Sequence, residues 1–326
     1  MEATVQQTNP VYLRQVQDKT ADEISPFIES NTLRVTISEL KNNCIIPVFS
    51  KDNERTISHQ EFIQTVLTGI SEVFPNQKML APDIRVSHQI KGRTPNAIHK
   101  SVKELLENEK TMYYERMAFV IKLPNITTEV GGNTLSLTIG GVRAYNKENL
   151  YSKKSNERFK VFIGFQNMVC CNLCIATDGY LDEVKVCNTE ELKQAVLDLL
   201  SKYNPEHQIE TLKQYVQYSL NESEFSTLIG RIKMYMCLPA NEKRQVFNLE
   251  LTDYHLSTIV KNYYQDENFS REHDGSINLW KLYNLCTEAN KSSYVDTFLG
   301  RHQNISEFIN SLLESINGGS DHWFLS

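Results

Sequence analysis

Apolar and polar residues alternate along this chain in two rhythms, and the switch between them divides it. Phe62, Val66, Ile70 and Val73 recur at helical spacing behind a Ser58–Glu61 capping box, which predicts a helix over about 59–74, ended by Pro75. Ile98, Val102, Leu105 and Leu106 repeat that spacing and predict a second helix between Pro95 and Lys110. The period then shortens to two. Leu135, Leu137 and Ile139 alternate with Ser136 and Thr138, so the extended runs Met112–Leu123 and Thr134–Tyr145 read as a hairpin joined across Gly131-Gly132-Asn133. Phe159, Val161, Ile163 and Phe165 mark the next strand. The apolar run Met168–Ile175, the turn dipeptide Asp178-Gly179 and the strand Leu181–Val186 complete the β-rich middle. An earlier run, Cys44–Phe49, is interrupted by Pro47 and predicts an edge strand or a strand start.

Beyond Cys187 the helical rhythm returns. Asn188 with Glu191 opens a helix bearing Leu192, Val196, Leu199 and Leu200, and Asn221 with Glu224, and Thr252 before Tyr254–Tyr264, open others. Ile277–Ala289 and Ile305–Ile316 follow, the last capped by Asn304 and Glu307 and stopped at Gly318-Gly319. The expected class is α+β: a central antiparallel β-meander flanked by helices, with a helical C-terminal half. The expected division is a polar N-terminal arm over 1–31, held where Pro26-Phe27-Ile28 docks, an α+β core with its hairpin over 32–190, and a helical region over 191–326 packed on that core.

Composition adds limits. At 326 residues, 40% of them hydrophobic, the chain needs neither disulfide nor metal to build a core. Its start is polar, and no stretch approaches the ~20 apolar residues of a membrane span, so the expected location is cytoplasmic, with no membrane partner. Seven cysteines at irregular positions fit free thiols in a reducing compartment. Cys171-x-x-Cys174 and Cys187 could offer three thiolates to zinc, but no fourth ligand completes the set, and buried reduced thiols are the plainer reading. No metal or other cofactor is expected. Pro82-Asp83 with Glu183-Val184-Lys185 would suit a metal-dependent nuclease only poorly, because other acid-x-Lys triplets occur at Glu39 and Glu191. Phosphate-binding loops, dinucleotide fingerprints, H-E-x-x-H and G-x-S-x-G are all missing.

A net charge of −6 argues against a chain that coats nucleic acid with its whole surface, but two stretches are locally basic. Arg85, Lys91, Arg93, Lys100 and Lys103 stand in one without an acid. The other holds Arg143, Lys147, Lys153, Lys154, Arg158 and Lys160 against Glu148 and Glu157, interleaved with Tyr145, Tyr151 and Phe159. Cations that track a backbone beside aromatic platforms for bases are the signature of single-strand binding, each stack contributing about 1–3 kcal/mol. The plainer alternative is a solvated loop over Asn146–Glu157.

Several blocks carry a family resemblance: Ile46-Pro47-Val48-Phe49-Ser50-Lys51-Asp52-Asn53-Glu54, Ile84-Arg85-Val86-Ser87-His88, Gly140-Gly141-Val142-Arg143-Ala144-Tyr145-Asn146, Val169-Cys170-Cys171-Asn172-Leu173-Cys174 and Ile277-Asn278-Leu279-Trp280-Lys281-Leu282-Tyr283-Asn284. They resemble an uncharacterised Bacteroides-type family, a domain of unknown function of conjugative elements and phages. The Val169 and Leu279 blocks also resemble, more distantly, the phage/plasmid-like protein family. The resemblance implies a mobile-element setting and no catalytic residue. With that setting, and with the order helix, hairpin, strands, helix, the leading expectation is single-stranded DNA binding or annealing by a homo-oligomer. Its strand-binding face would be Arg143, Tyr145, Lys147, Tyr151, Lys153, Lys154 and Arg158, extended by Arg85, Lys91 and Arg93. The alternatives are a non-enzymatic interaction or anti-defence factor, and a nuclease.

Overall fold

The computed structural model describes residues 26–44, 56–147, 156–319 and 321–326. In chain order the elements are β1 (Leu33–Val35), α1 (Ile37–Asn43), α2 (His59–Val73), β2 (Asp83–Val86), β3 (Gln89–Arg93), β4 (Lys110–Tyr114), β5 (Arg116–Val130), β6 (Asn133–Ala144), β7 (Glu157–Asn167), β8 (Leu173–Cys174) and β9 (Tyr180–Val186). Then come α3 (Thr189–Lys202), α4 (Pro205–Gln217), β10 (Ser219–Leu220), α5 (Glu222–Cys237), α6 (Ala240–Lys243), α7 (Asp253–Gln265), β11 (Ile277–Asn278), α8 (Leu279–Asn290) and α9 (Val295–Gly318). The class is α+β, as the patterning predicts, with helices filling the C-terminal half.

The main sheet is antiparallel and runs β1-β2-β5-β6-β7, with β8 and β9 sharing the outer edge of β7. Alternation decides its two faces. Leu135, Leu137 and Ile139 of β6 and Phe159, Val161 and Ile163 of β7 enter the large core with Phe62, Val66 and Ile70 of α2 and Leu192 and Val196 of α3. Val142 and Phe162 point the other way, into a smaller core with Phe298 and Leu299 of α9 and the docked Phe27 and Ile28. Glycine lets the α2 layer close: a Cβ at Gly141 would stand 2.5 Å from the Phe62 ring, and one at Gly140 would meet the Phe119 carbonyl at 2.1 Å. These glycines serve close approach within a regular register. The β5–β6 turn passes through Gly131 and Gly132 at φ +55° and +77°, the left-handed pair that a two-residue hairpin turn requires.

Three expectations are corrected. No helix forms between Pro95 and Lys110. The segment makes three separate 3₁₀ turns closed by i→i+3 bonds, with the Glu104 and Glu109 carboxylates accepting from the Ser101 and Leu106 amides. Thr94 N–H donates to the Glu109 carbonyl and ties the loop ends together. A short helix survives mainly by burying a face, and among the described residues no element covers Ile98, Val102 or Leu106. Asn304 does not cap a helix either: α9 runs unbroken from Val295, and the Asn304 side chain accepts from Glu250 N–H at 2.8 Å and donates to the Asn248 carbonyl at 2.7 Å. Ile277 and Asn278 pair with β10 before α8 begins. The boxes at Ser58 and Asn221, and the Asn188 and Thr252 caps, stand where they are expected. Beyond Cys44, the run Cys44–Phe49 lies outside the described residues.

Candidate functional site

A groove of about 620 Å³ opens between the second face of the sheet and α9. Its floor is Val142 and Ala144 of β6 with Arg158 and Lys160 of β7, and its wall is the α9 stripe Asp296, Gly300, Gln303 and Glu307. Asp182 and Glu183 enter from a register shift where Phe159 pairs with Val184 but Val161 pairs with Leu181, a bulge of the kind that re-aims side chains. Phe247, Asn248 and Glu250 close one end. Three cations thus face five carboxylates. Lys147 pairs with Asp296 at 3.3 Å, Arg158 with Glu183 at 2.9 Å and Lys160 with Asp182 at 2.7 Å. Burial raises the Asp182 pKa, but hydrogen bonds from Lys160 and Tyr180 outweigh it and hold the carboxyl below its ordinary value.

Among the described residues, the members of the expected strand-binding face do not share one surface. Arg143 is 0% exposed and Tyr145 1%. Arg143 lies on the core face of β6, in phase with Ile139 and Gly141, where its guanidinium donates to the Ile57 carbonyl and pairs with Glu157. It sits over the rings of Tyr145 and Phe159, at 4.4 and 4.5 Å from their centroids. Both residues are therefore buried structural groups and present no surface to a strand. Lys147 and Arg158 remain at the groove, both ion-paired. Arg85 lies along Asp83 at 3.6 Å, Arg93 donates to the Lys100 carbonyl, and Lys91 is exposed on β3. Tyr151, Lys153 and Lys154 lie outside the described residues.

The other candidate chemistries separate in the same way. Asp83 and Glu183 belong to β2 and β9 with three strands between them, roughly 19 Å of sheet at about 4.8 Å per strand. Glu183 is engaged by Lys185 at 2.6 Å as well as by Arg158. Among the described residues no group of three or more His, Cys, Asp or Glu is placed to hold a metal ion. Cys171 and Cys174 are buried and Cys187 is exposed. Burial pushes the Cys170 thiol up to about 12 and Cys174 higher still, so neither is a thiolate near neutrality. Ser293 Oγ lies 3.3 Å from His255 Nε2, the spacing of a nucleophile and its base, but the protons run the wrong way. His255 Nδ1 accepts from Thr252 N–H, which leaves the ring proton on Nε2 facing Ser293. Arg301 also donates to that oxygen at 2.8 Å, and the hydroxyl donates to Asn290 Oδ1 at 2.6 Å. The imidazole has no lone pair to offer the serine.

Two of the resemblance blocks meet here, a juxtaposition that sequence reasoning missed. Asn172 Nδ2 donates to the Asn284 carbonyl at 3.1 Å, and the Cys170 thiol reaches Asn284 Oδ1 at 3.9 Å. Lys291, 1% exposed, donates to the Cys170 carbonyl at 2.5 Å and pairs with Glu288 at 2.7 Å. Four residues before Asn284, Trp280 Nε1 donates to Asn133 Oδ1 at 3.0 Å, beneath the Gly131 turn. These contacts fasten the helical half to the tips of the sheet. They are architecture.

The second exposed feature is an arm. After β2 leaves β5, the same two chain segments pair again as β3 and β4, from Gln89↔Tyr114 to Arg93↔Lys110, in a two-stranded sheet of their own. At its end the 94–109 loop carries Ile98, Val102 and Leu106 at 64%, 72% and 60% exposure. Their helical spacing predicts a buried face, and no local signal marks these residues as exposed.

A family model described as "Domain of unknown function, B. Theta Gene description (DUF3871)" matches residues 7–325, and the chain belongs to this family. No curated protein matches the chain. No solved structure matches it either.

Proposed function

We propose that this member of a family without an assigned activity works by binding a protein rather than by catalysis, as an interaction factor of a mobile element, and that the β3–β4 arm is its recognition element. One observation carries the reading. Three aliphatic side chains stand in solvent on one loop, where water contact costs about 25 cal/mol for each Å² of apolar surface left uncovered. The arm from Gln89 to Tyr114 holds five cations (Lys91, Arg93, Lys100, Lys103 and Lys110) against Glu104, Glu107 and Glu109. Its fitting partner is a protein surface that is apolar at its centre and acidic at its rim.

The test compares wild type with the triple variant Ile98→Ser, Val102→Ser, Leu106→Ser, both immobilised and exposed to nuclease-treated lysate. The reading expects an identified protein bound stoichiometrically by wild type and lost on the triple variant. Equal retention by both chains, or retention that disappears with nuclease, overturns it. The second outcome would favour single-stranded DNA binding or annealing. That reading draws support from the order α2, meander, α3, and from Lys147 and Arg158, which flank the segment holding Tyr151, Lys153 and Lys154. In that case, changing Lys153 and Lys154 to Ala would lower the slope of log K against log salt by about one per lost phosphate contact.

A further inference from the structure

We infer that the partner of the arm is a second copy of this chain, which receives the 94–109 loop in the groove between the sheet and α9; the inference rests on the binding reading and names its occupant. The two surfaces are complementary in kind. Among the described residues, Lys91, Arg93 and Lys103 of the arm have no carboxylate partner and Glu104 has no cation, whereas Lys100 and Lys110 are engaged by Glu109 and Glu107. In the groove the three cations are engaged by Asp296, Glu183 and Asp182, and among the described residues Glu250 and Glu307 are left without a cation. The surplus on one surface is two positive charges and on the other two negative ones. The groove of about 620 Å³ offers the loop's Ile98, Val102 and Leu106 a modest apolar lining, chiefly the half-buried Phe247, because Val142 and Ala144 are only 2% and 8% exposed.

The same molecule does not make this contact with itself, because its three loop residues are exposed and none of them lines its own groove. Arm and groove are different surfaces, so the contact is heterologous. Each copy gives an arm to one neighbour and takes one from another, and the assembly grows as a ring or an open filament rather than stopping at a two-fold dimer.

The complete chain would be followed by light scattering behind gel filtration over a concentration series, as wild type, as the triple serine arm variant and as a groove variant, Glu250→Lys with Glu307→Lys. Wild type is expected to pass from monomer to species larger than a dimer as concentration rises, and each variant to remain monomeric with an unchanged circular-dichroism spectrum. An equimolar mixture of the two variants is the decisive sample. One keeps an intact groove and the other an intact arm, so the mixture should give a one-to-one dimer and nothing larger. A wild type that is monomeric at every concentration overturns the inference, and so does assembly that survives either variant or a mixture that stays monomeric. Arm-dependent capture of a different protein by a monomeric wild type would remove the second copy as partner and leave the binding reading standing.

Discussion

The junction under β8 and the loop at the end of the arm invert the usual placement of residues, each in its own direction. At the junction, Asn172, Asn284, Asn290 and Lys291 are buried, with partners in reach. On the arm, Ile98, Val102 and Leu106 are exposed with none. Buried polar groups with partners fix one arrangement of the elements that carry them, here the sheet tips against α8. Exposed apolar groups without partners stabilise nothing in the monomer, and their contribution comes when something covers them. The comparison separates residues that hold the molecule together from residues free to meet another one, and it moves Arg143 and Tyr145 from the second set to the first.

Arg143 gives the comparison its hardest test. Arg143→Ala leaves the Glu157 carboxylate and the Ile57 carbonyl without their guanidinium partner, and opens space between Tyr145 and Phe159. Loss of one member of such a buried pair costs about 3–5 kcal/mol, read as a fall in the urea midpoint. A variant with wild-type stability would return Arg143 to the surface.

Acid probes the same region. Burial drives His59 down to about 3, helped by the charge of Arg143, while its Nε2–H donates to the Tyr114 carbonyl at 2.8 Å. His302, with no partner for either ring nitrogen among the described residues, is driven to about 3 by burial and Lys291. Each folded-state value lies below the unfolded value near 6.5, so between these limits the unfolded chain binds more protons. The stabilisation is complete above about pH 6.5 and is lost as pH falls toward 3, on the order of 2 kcal/mol per ring between pH 7 and pH 5. His302→Leu should flatten the dependence of the urea midpoint on pH over that range. An unaltered slope would mean that the ring meets solvent.

Asn284→Ala removes the acceptor of the Cys170 thiol and the amide that donates to the Trp280 carbonyl at 2.9 Å, while Asn172 keeps the Asn284 carbonyl. The expected cost is about 1–3 kcal/mol. Faster amide exchange at Asn172–Cys174 and at the Gly131 turn would show the sheet tips loosening from α8; exchange that rises uniformly across the chain would deny the junction its fastening role.

What the sequence made legible follows from these contrasts. Local signals survive folding: Ser58 with Glu61 and Asn221 with Glu224 need only their own turn, and the alternation through Leu137 and Ile139 needs only a covered face. The same alternation places Arg143 in phase with Ile139 and Gly141, on the covered face despite its charge. Glu157, the partner that permits burial, stands on the next strand beyond a loop, and no local pattern links the two. The groove wall could be read as a polar and small stripe at Asp296, Gly300, Gln303 and Glu307, but its opposite wall is set by tertiary packing. The Ile98 helix failed for the complementary reason: helical spacing reports a surface and cannot report whether anything lies against it.

The triple arm variant should change stability least. Replacing Ile98, Val102 and Leu106 together by Ser removes three large apolar side chains, a change that would cost several kcal/mol for each residue in the α2 layer. On the arm the loss should stay within about 0.5 kcal/mol per residue, because the groups are solvated before and after unfolding. Thermal and urea unfolding of the triple variant decide the matter. A midpoint close to wild type, with the partner contact gone, assigns these residues to recognition alone. A fall of several kcal/mol would show the loop packed against its own body in solution, and the arm would then join the junction as part of what holds the fold together.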